Sequence, residues 1–208
     1  GLTYPANSDA AYSKILVGDL QNDRLDDLVV LGGDGSRLFR MGTNGLATDV
    51  SSSSGLSTLG AINGLLIDLD FTGKLDLVAV AGNSNEVQVL RQSGRTVGIG
   101  LPTMSFTNIT GMSGVPATLR NVQAVVMEDW NRDNIMDVIA NRADRPPLLL
   151  EKQRGGKLVP REQNRWVEGS AFCAGDFDND LRPDLAVVGD GSISICFNGG
   201  EQREITVA

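Results

Sequence analysis

The chain has 208 residues, 41% apolar and only 5% aromatic, so its core rests on Leu, Val, Ile and Ala, and its 25 Gly point to frequent turns. A formal net charge of −8 argues against a nucleic-acid partner, whose phosphates would be repelled, and in favour of hard cations held by oxygen ligands. Histidine is absent, which removes the commonest general base and zinc ligand, and no apolar run approaches the roughly 18 residues of a membrane span.

In chain order, the first element is a short apolar run, Lys14-Ile-Leu-Val17, too short for a helix and read as a strand. It leads into an acidic loop, Asp19-Leu-Gln-Asn-Asp-Arg-Leu-Asp-Asp27. A second strand, Leu28-Val-Val-Leu31, a hairpin turn signal, Gly32-Gly-Asp-Gly35, and a third strand, Ser36 to Arg40, follow. A connector, Thr48-Asp-Val-Ser-Ser-Ser-Ser-Gly-Leu56, closes the unit.

The order then returns. Gly64-Leu-Leu-Ile67 precedes the loop Asp68-Leu-Asp-Phe-Thr-Gly-Lys-Leu-Asp76, with Leu77 to Val80 and Glu86 to Leu90 after it and the connector Thr107-Asn-Ile-Thr-Gly-Met-Ser-Gly-Val115 beyond. Gln123 to Met127 precedes Asp129-Trp-Asn-Arg-Asp-Asn-Ile-Met-Asp137, followed by Val138 to Ala140 and Pro147 to Leu150. Ala171 to Ala174 precedes Asp176-Phe-Asp-Asn-Asp-Leu-Arg-Pro-Asp184, followed by Leu185 to Val188, the turn Gly189-Asp-Gly191 and Ser192 to Cys196. The loops recur at about 50 residues, the period of a four-stranded propeller blade and longer than a helical repeat. The expected architecture is therefore all-β, a single domain of four β-propeller blades over residues 12–56, 57–115, 116–168 and 169–208.

Within each loop, oxygen-bearing side chains stand at odd positions and converge on one point. The first position is Asp19, Asp68, Asp129 and Asp176, and the third is Gln21, Asp70, Asn131 and Asp178. The fifth is Asp23, Thr72, Asp133 and Asp180, and the ninth is Asp27, Asp76, Asp137 and Asp184. This is a ligand set for Ca²⁺, which takes roughly six to eight oxygens, and carboxylate count ranks the fourth loop first and the third next. An EF-hand is rejected, because its twelfth position needs Glu and these loops have Val30, Ala79, Ala140 and Val187 inside expected strands. Gly occupies the sixth position only at Gly73; Arg24, Asn134 and Leu181 there are strained if the turn needs positive φ. Asp at the first and ninth positions can also cap turn N–H groups with no metal present.

These loops, each followed by Asp-Leu or Asp-Val and an apolar strand, resemble FG-GAP/VCBS repeats, as in the integrin α-chain propeller and many bacterial surface proteins. The connectors are similar to those of FG-GAP proteins that carry an ASPIC/UnbV domain, a group that includes cartilage acidic protein relatives. The resemblance runs from about Tyr12 to Asn198 and implies a propeller with calcium in the loop between the first two strands of each blade. The chain departs from it in lacking the Phe-Gly…Gly-Ala-Pro signature, the third connector (Trp166-Val-Glu-Gly169 stands there) and a visible ASPIC/UnbV domain. Propellers of this family have about seven blades, so four imply a piece of a larger propeller or a compact four-bladed ring. An open arc leaves two apolar blade faces for partner chains, further blades or self-association.

Cys173 and Cys196 fall on strands two apart, beyond disulfide reach, and are expected as buried free thiols. Trp130 and Phe177, at the second loop position like Leu20 and Leu69, are expected to point into the blade rather than form a sugar platform, and Trp166 is the better candidate for an exposed contact. No nucleophile–base pair can be assembled. The resulting expectation is a non-catalytic calcium-binding module of a larger secreted, cell-surface or periplasmic protein, binding protein or carbohydrate. A propeller-scaffold polysaccharide lyase or hydrolase and a purely structural spacer stay open as alternatives.

Overall fold

Each strand–acidic loop–strand unit folds into a separate antiparallel sheet. The computed structural model describes residues 12–94, 104–189, 191–199 and 202–206; Asp190 of the second turn signal, residues 95–103 of the second repeat and residues 200, 201, 207 and 208 of the fourth lie outside them. The first sheet is β1 (Tyr12–Gly18), β2 (Asp27–Gly32), β3 (Arg37–Met41) and β4 (Ala47–Asp49). The second is β5 (Ala61–Ile67), β6 (Asp76–Ala81), β7 (Val87–Gln92) and β8 (Phe106–Asn108). The third is β9 (Val122–Glu128), β10 (Asp137–Arg142), β11 (Arg145–Lys152) and β12 (Leu158–Glu162), and the fourth is β13 (Ala171–Gly175), β14 (Asp184–Gly189), β15 (Ser192–Cys196) and β16 (Gln202–Thr206). Every sheet is a meander in which each strand pairs with the next in sequence.

One register recurs. Gly18, Ile67, Glu128 and Gly175, each in the last pair of its first strand, face Asp27, Asp76, Asp137 and Asp184. The last Asp of every acidic loop thus opens a second strand, and the loop is the turn between the first two strands.

The fourth strands lie partly in what the sequence suggests are plain connectors, and β4 and β8 each run straight into a single helical turn, α1 (Ser51–Ser54) and α2 (Thr110–Ser113). The connector motif has a structural explanation. Asp49 Oδ1 accepts from Ser51 N–H at 2.9 Å and from its hydroxyl, while Ser51 Oγ accepts from Leu38 N–H at 2.9 Å. Asn108, Thr110 and Val89 repeat the same three bonds at 3.0, 2.7 and 2.9 Å. The hydroxyl so placed satisfies a third-strand N–H that the short fourth strand leaves unpaired. Both turns end on a left-handed glycine, and at Gly114 (φ 89°) a Cβ would collide with the Leu158 carbonyl.

Successive sheets pack through their first strands, β1 beside β5, β5 beside β9 and β9 beside β13. Each junction encloses an apolar core. Leu16, Val29, Leu31 and Leu38 meet Leu77, Ala79 and Leu90 at the first junction; Val78, Val80, Val87 and Val89 meet Val138, Ala140, Leu148 and Leu150 at the second. At the third, Ile139 and Leu149 meet Leu185, Val187 and Cys196. Strands buried on both faces need the continuous apolar runs seen in the sequence, and β6 and β10 are buried at every residue.

The two end sheets keep an uncovered face. On the first it carries Ile15 and Val17, 63% and 58% exposed, with Leu28 and Val30 directly across from them. On the fourth it carries Cys173, Ala186, Val188 and Ile193. Among the described residues the fourth sheet makes no contact with the first comparable to these junctions.

Candidate metal centre

All four acidic loops share one hydrogen-bonded skeleton. The first carboxylate accepts from the fifth and sixth N–H groups: Asp19 from Asp23 and Arg24, Asp68 from Thr72 and Gly73, Asp129 from Asp133 and Asn134, and Asp176 from Asp180 and Leu181, at 2.7–3.1 Å. The fifth-position Asp accepts from the seventh N–H in three loops, Asp23 from Leu25, Asp133 from Ile135 and Asp180 from Arg182. The ninth Asp is buried and joins the loop to the third strand. Asp27 accepts from Leu20 and Met41 N–H, Asp76 from Leu69 and Gln92, and Asp184 from Phe177 and Asn198.

Asp137 departs from this pattern: Oδ1 accepts from Lys152 N–H at 2.8 Å, but Oδ2 is buried with no hydrogen bond. Burial, reinforced by the Asp133 and Glu151 charges and opposed by the Lys152 N–H and, more weakly, by the Trp130 N–H, pushes its carboxyl up to about 6. Burial also raises the Asp27 and Asp76 carboxyls.

The skeleton forces two left-handed residues per loop. Position four is Asn22, Phe71, Arg132 and Asn179 (φ 58–63°) and position six is Arg24, Gly73, Asn134 and Leu181 (φ 65–77°). The strain expected at the sixth position is present, and it occurs at the fourth position as well.

The loops differ in where their carboxylates go. In the fourth, single oxygens of Asp176, Asp178 and Asp184 all lie within 4.8 Å of one another, a donor set that fits a hard divalent cation. Desolvation in the loop, with the neighbouring Asp180, Asp184 and Asp176 charges, raises the Asp178 carboxyl, and a cation would relieve that repulsion. Asp180 instead lies 3.6 Å from Arg182 Nε. In the third loop both Asp133 oxygens are engaged, Oδ1 by Ile135 N–H and Oδ2 by Asn131 Nδ2 at 3.1 Å. In the second, Asp70 Oδ2 is 3.4 Å from Arg91 Nε. In the first, Gln21 Nε2 is buried without a partner, a donor where an oxygen is wanted. Among the described residues only the fourth loop gathers three carboxylates.

Three side chains outside the loops also bear on them. Gln92 Nε2 donates to the Leu20 carbonyl at 2.5 Å, Lys152 Nζ to the Asp68 carbonyl at 2.5 Å, and Asn198 Nδ2 to the Trp130 carbonyl at 2.9 Å. Each follows the third strand of one sheet, or ends it, and reaches into the acidic loop of the sheet before. Their unlike chemistry hides them in the sequence, although each stands 14 to 16 residues beyond its own ninth Asp.

The second loop position follows the same logic. Leu20, Leu69 and Trp130 are buried as expected, but Phe177 is 44% exposed, because no described sheet follows the fourth to cover it. Trp166 is not an exposed contact: it is 5% exposed and packs edge-on to Trp130 with ring centroids 4.8 Å apart. Both cysteines are free, with β14 between their strands, but Cys173 is exposed rather than buried because it lies on the uncovered face.

No family model and no curated protein matches the chain. Among solved structures it is similar to the V. cholerae biofilm matrix protein Bap1, at 15% sequence identity and a TM-score of 0.49. The match covers 95% of this chain and 40% of that one, so the chain spans about two-fifths of that protein's length. Among the described residues no helix is long and apolar enough to cross a membrane.

Proposed function

We propose that the chain is a non-catalytic, calcium-stabilised β-propeller module of the FG-GAP/VCBS type, each sheet being one blade, within a larger secreted or cell-surface protein. The observation that carries the metal reading is the convergence of Asp176, Asp178 and Asp184 in one of four loops with a common skeleton. Calcium held there by those carboxylates would tie β13 to β14, and its binding free energy would add to folding stability. The blade reading is supported by four successive meanders stacked through their first strands. The two uncovered apolar faces are where further blades, a second copy or a partner would pack. Protein or carbohydrate is the proposed ligand class of the module.

Calorimetric titration of calcium into the whole chain and into Asp178→Ala tests this. Saturable heat in the parent and its loss in the variant are expected, together with a lower melting temperature in chelator. No heat from the parent at millimolar calcium would overturn the metal reading.

A further inference from the structure

We propose that the second acidic loop carries its own cation: the Lys152 ammonium, assisted by Arg91, balances Asp68, Asp70 and Asp76, and the loop takes up no calcium while Lys152 is present. By composition this loop also offers metal ligands. It has three carboxylates, the Thr72 hydroxyl and Gly73, the one glycine at a left-handed sixth position, with open space around it. Its carboxylates nevertheless do not gather as those of the fourth loop do.

What sets this loop apart from the other three is a neighbouring positive charge. Lys152, from the end of β11, is 4% exposed; its Nζ lies 2.5 Å from the Asp68 carbonyl and 4.2 Å from the Phe71 ring centroid. Arg91 Nε lies 3.4 Å from the third-position carboxylate of Asp70. A buried monocation seated on the Asp68 carbonyl and the Phe71 ring supplies part of the charge a metal would bring to this loop, and it repels a second cation across a low-dielectric gap. The counterparts of Lys152 at the first and third loops, Gln92 and Asn198, make the same reach without charge. Nothing described reaches into the fourth loop in this way, and that is the loop in which three carboxylates converge.

The inference is independent of whether the fourth loop takes calcium. Its test is calcium per chain by equilibrium dialysis for the parent, Asp70→Asn, Lys152→Gln and Lys152→Arg. Asp70→Asn and Lys152→Arg are expected to match the parent, and Lys152→Gln, which keeps a donor but loses the charge, to gain one ion. Loss of an ion in Asp70→Asn, or no gain in a folded Lys152→Gln, overturns the proposal. Reductive methylation of the parent in chelator gives a reading that no variant's folding can obscure. Lys152 is expected to stay unmodified while exposed Lys157 reacts, and equal reaction of the two overturns the proposal.

Discussion

The Gln92 side-chain amide of the second sheet donates to the Leu20 carbonyl in the acidic loop of the first, a buried bond of 2.5 Å between residues 72 apart in the chain. Because the same residue's backbone N–H satisfies Asp76, Gln92 anchors its own sheet's loop and the preceding one together.

Gln92→Leu keeps the volume and the backbone bond but leaves the Leu20 carbonyl without its partner. The expected cost is about 1–3 kcal/mol, the penalty for an orphaned buried acceptor. Chemical denaturation measures it, and a change within about 0.5 kcal/mol, the range of an ordinary surface substitution, would show that the bond does not hold the junction.

Leu181 is 74% exposed and left-handed at φ 65°, so it pays backbone strain with little packing in return. Leu181→Gly is expected to stabilise the chain by about 1 kcal/mol, and Gly73→Ala, where a Cβ meets nothing within 4 Å, to destabilise it by a similar amount. Both are measured in chelator, so that metal affinity does not enter. Shifts of the same sign would show that the sixth position is not what strains these loops.

The second loop position separates a buried from an uncovered environment. Trp130→Ala opens the core of the third junction and is expected to cost about 3–5 kcal/mol. Phe177→Ala, at the same loop position in the fourth sheet, is expected to cost less than about 1 kcal/mol. Comparable losses in denaturant midpoints would mean that Phe177 is covered in solution.

The Asp137 carboxyl, raised to about 6 in the fold against 3.8 as its reference, sets a pH dependence. The folded protein binds this proton more tightly than the unfolded chain, so stability from this group is full below about 4 and is lost as pH rises through about 6. Asp137→Asn removes the titration. In chelator, its melting temperature relative to the parent is expected to climb between pH 5 and pH 7.5. A difference that stays flat across that interval would place Asp137 at an ordinary value.

Much of this was legible in the sequence. Asp at the first and ninth positions of all four loops carries the shared skeleton, and the apolar runs around them are the paired first and second strands. The fourth strands were hidden because β4 and β8 are three residues long, with a single apolar residue each, and are made by pairing with a neighbour rather than by a pattern of their own. Exposure of Phe177 and Cys173 depends on what lies beyond the fourth sheet, which no local pattern encodes. Gln92, Lys152 and Asn198 share a place but not a chemistry, so only the fold brings them into one class.

That shared place gives the array a direction. A loop is closed over its second residue, and bridged at the carbonyl of its first or second residue, by the sheet made after it. A chain emerging from its N-terminus therefore carries one unfinished loop at a time, sealed when the next meander forms. Truncation is unequal for the same reason. Removing the last sheet uncovers Trp130 and strips the part-buried Asn198 bridge, whereas removing the first takes from the second loop the exposed bond of Asn22 Nδ2 to the Gly73 carbonyl.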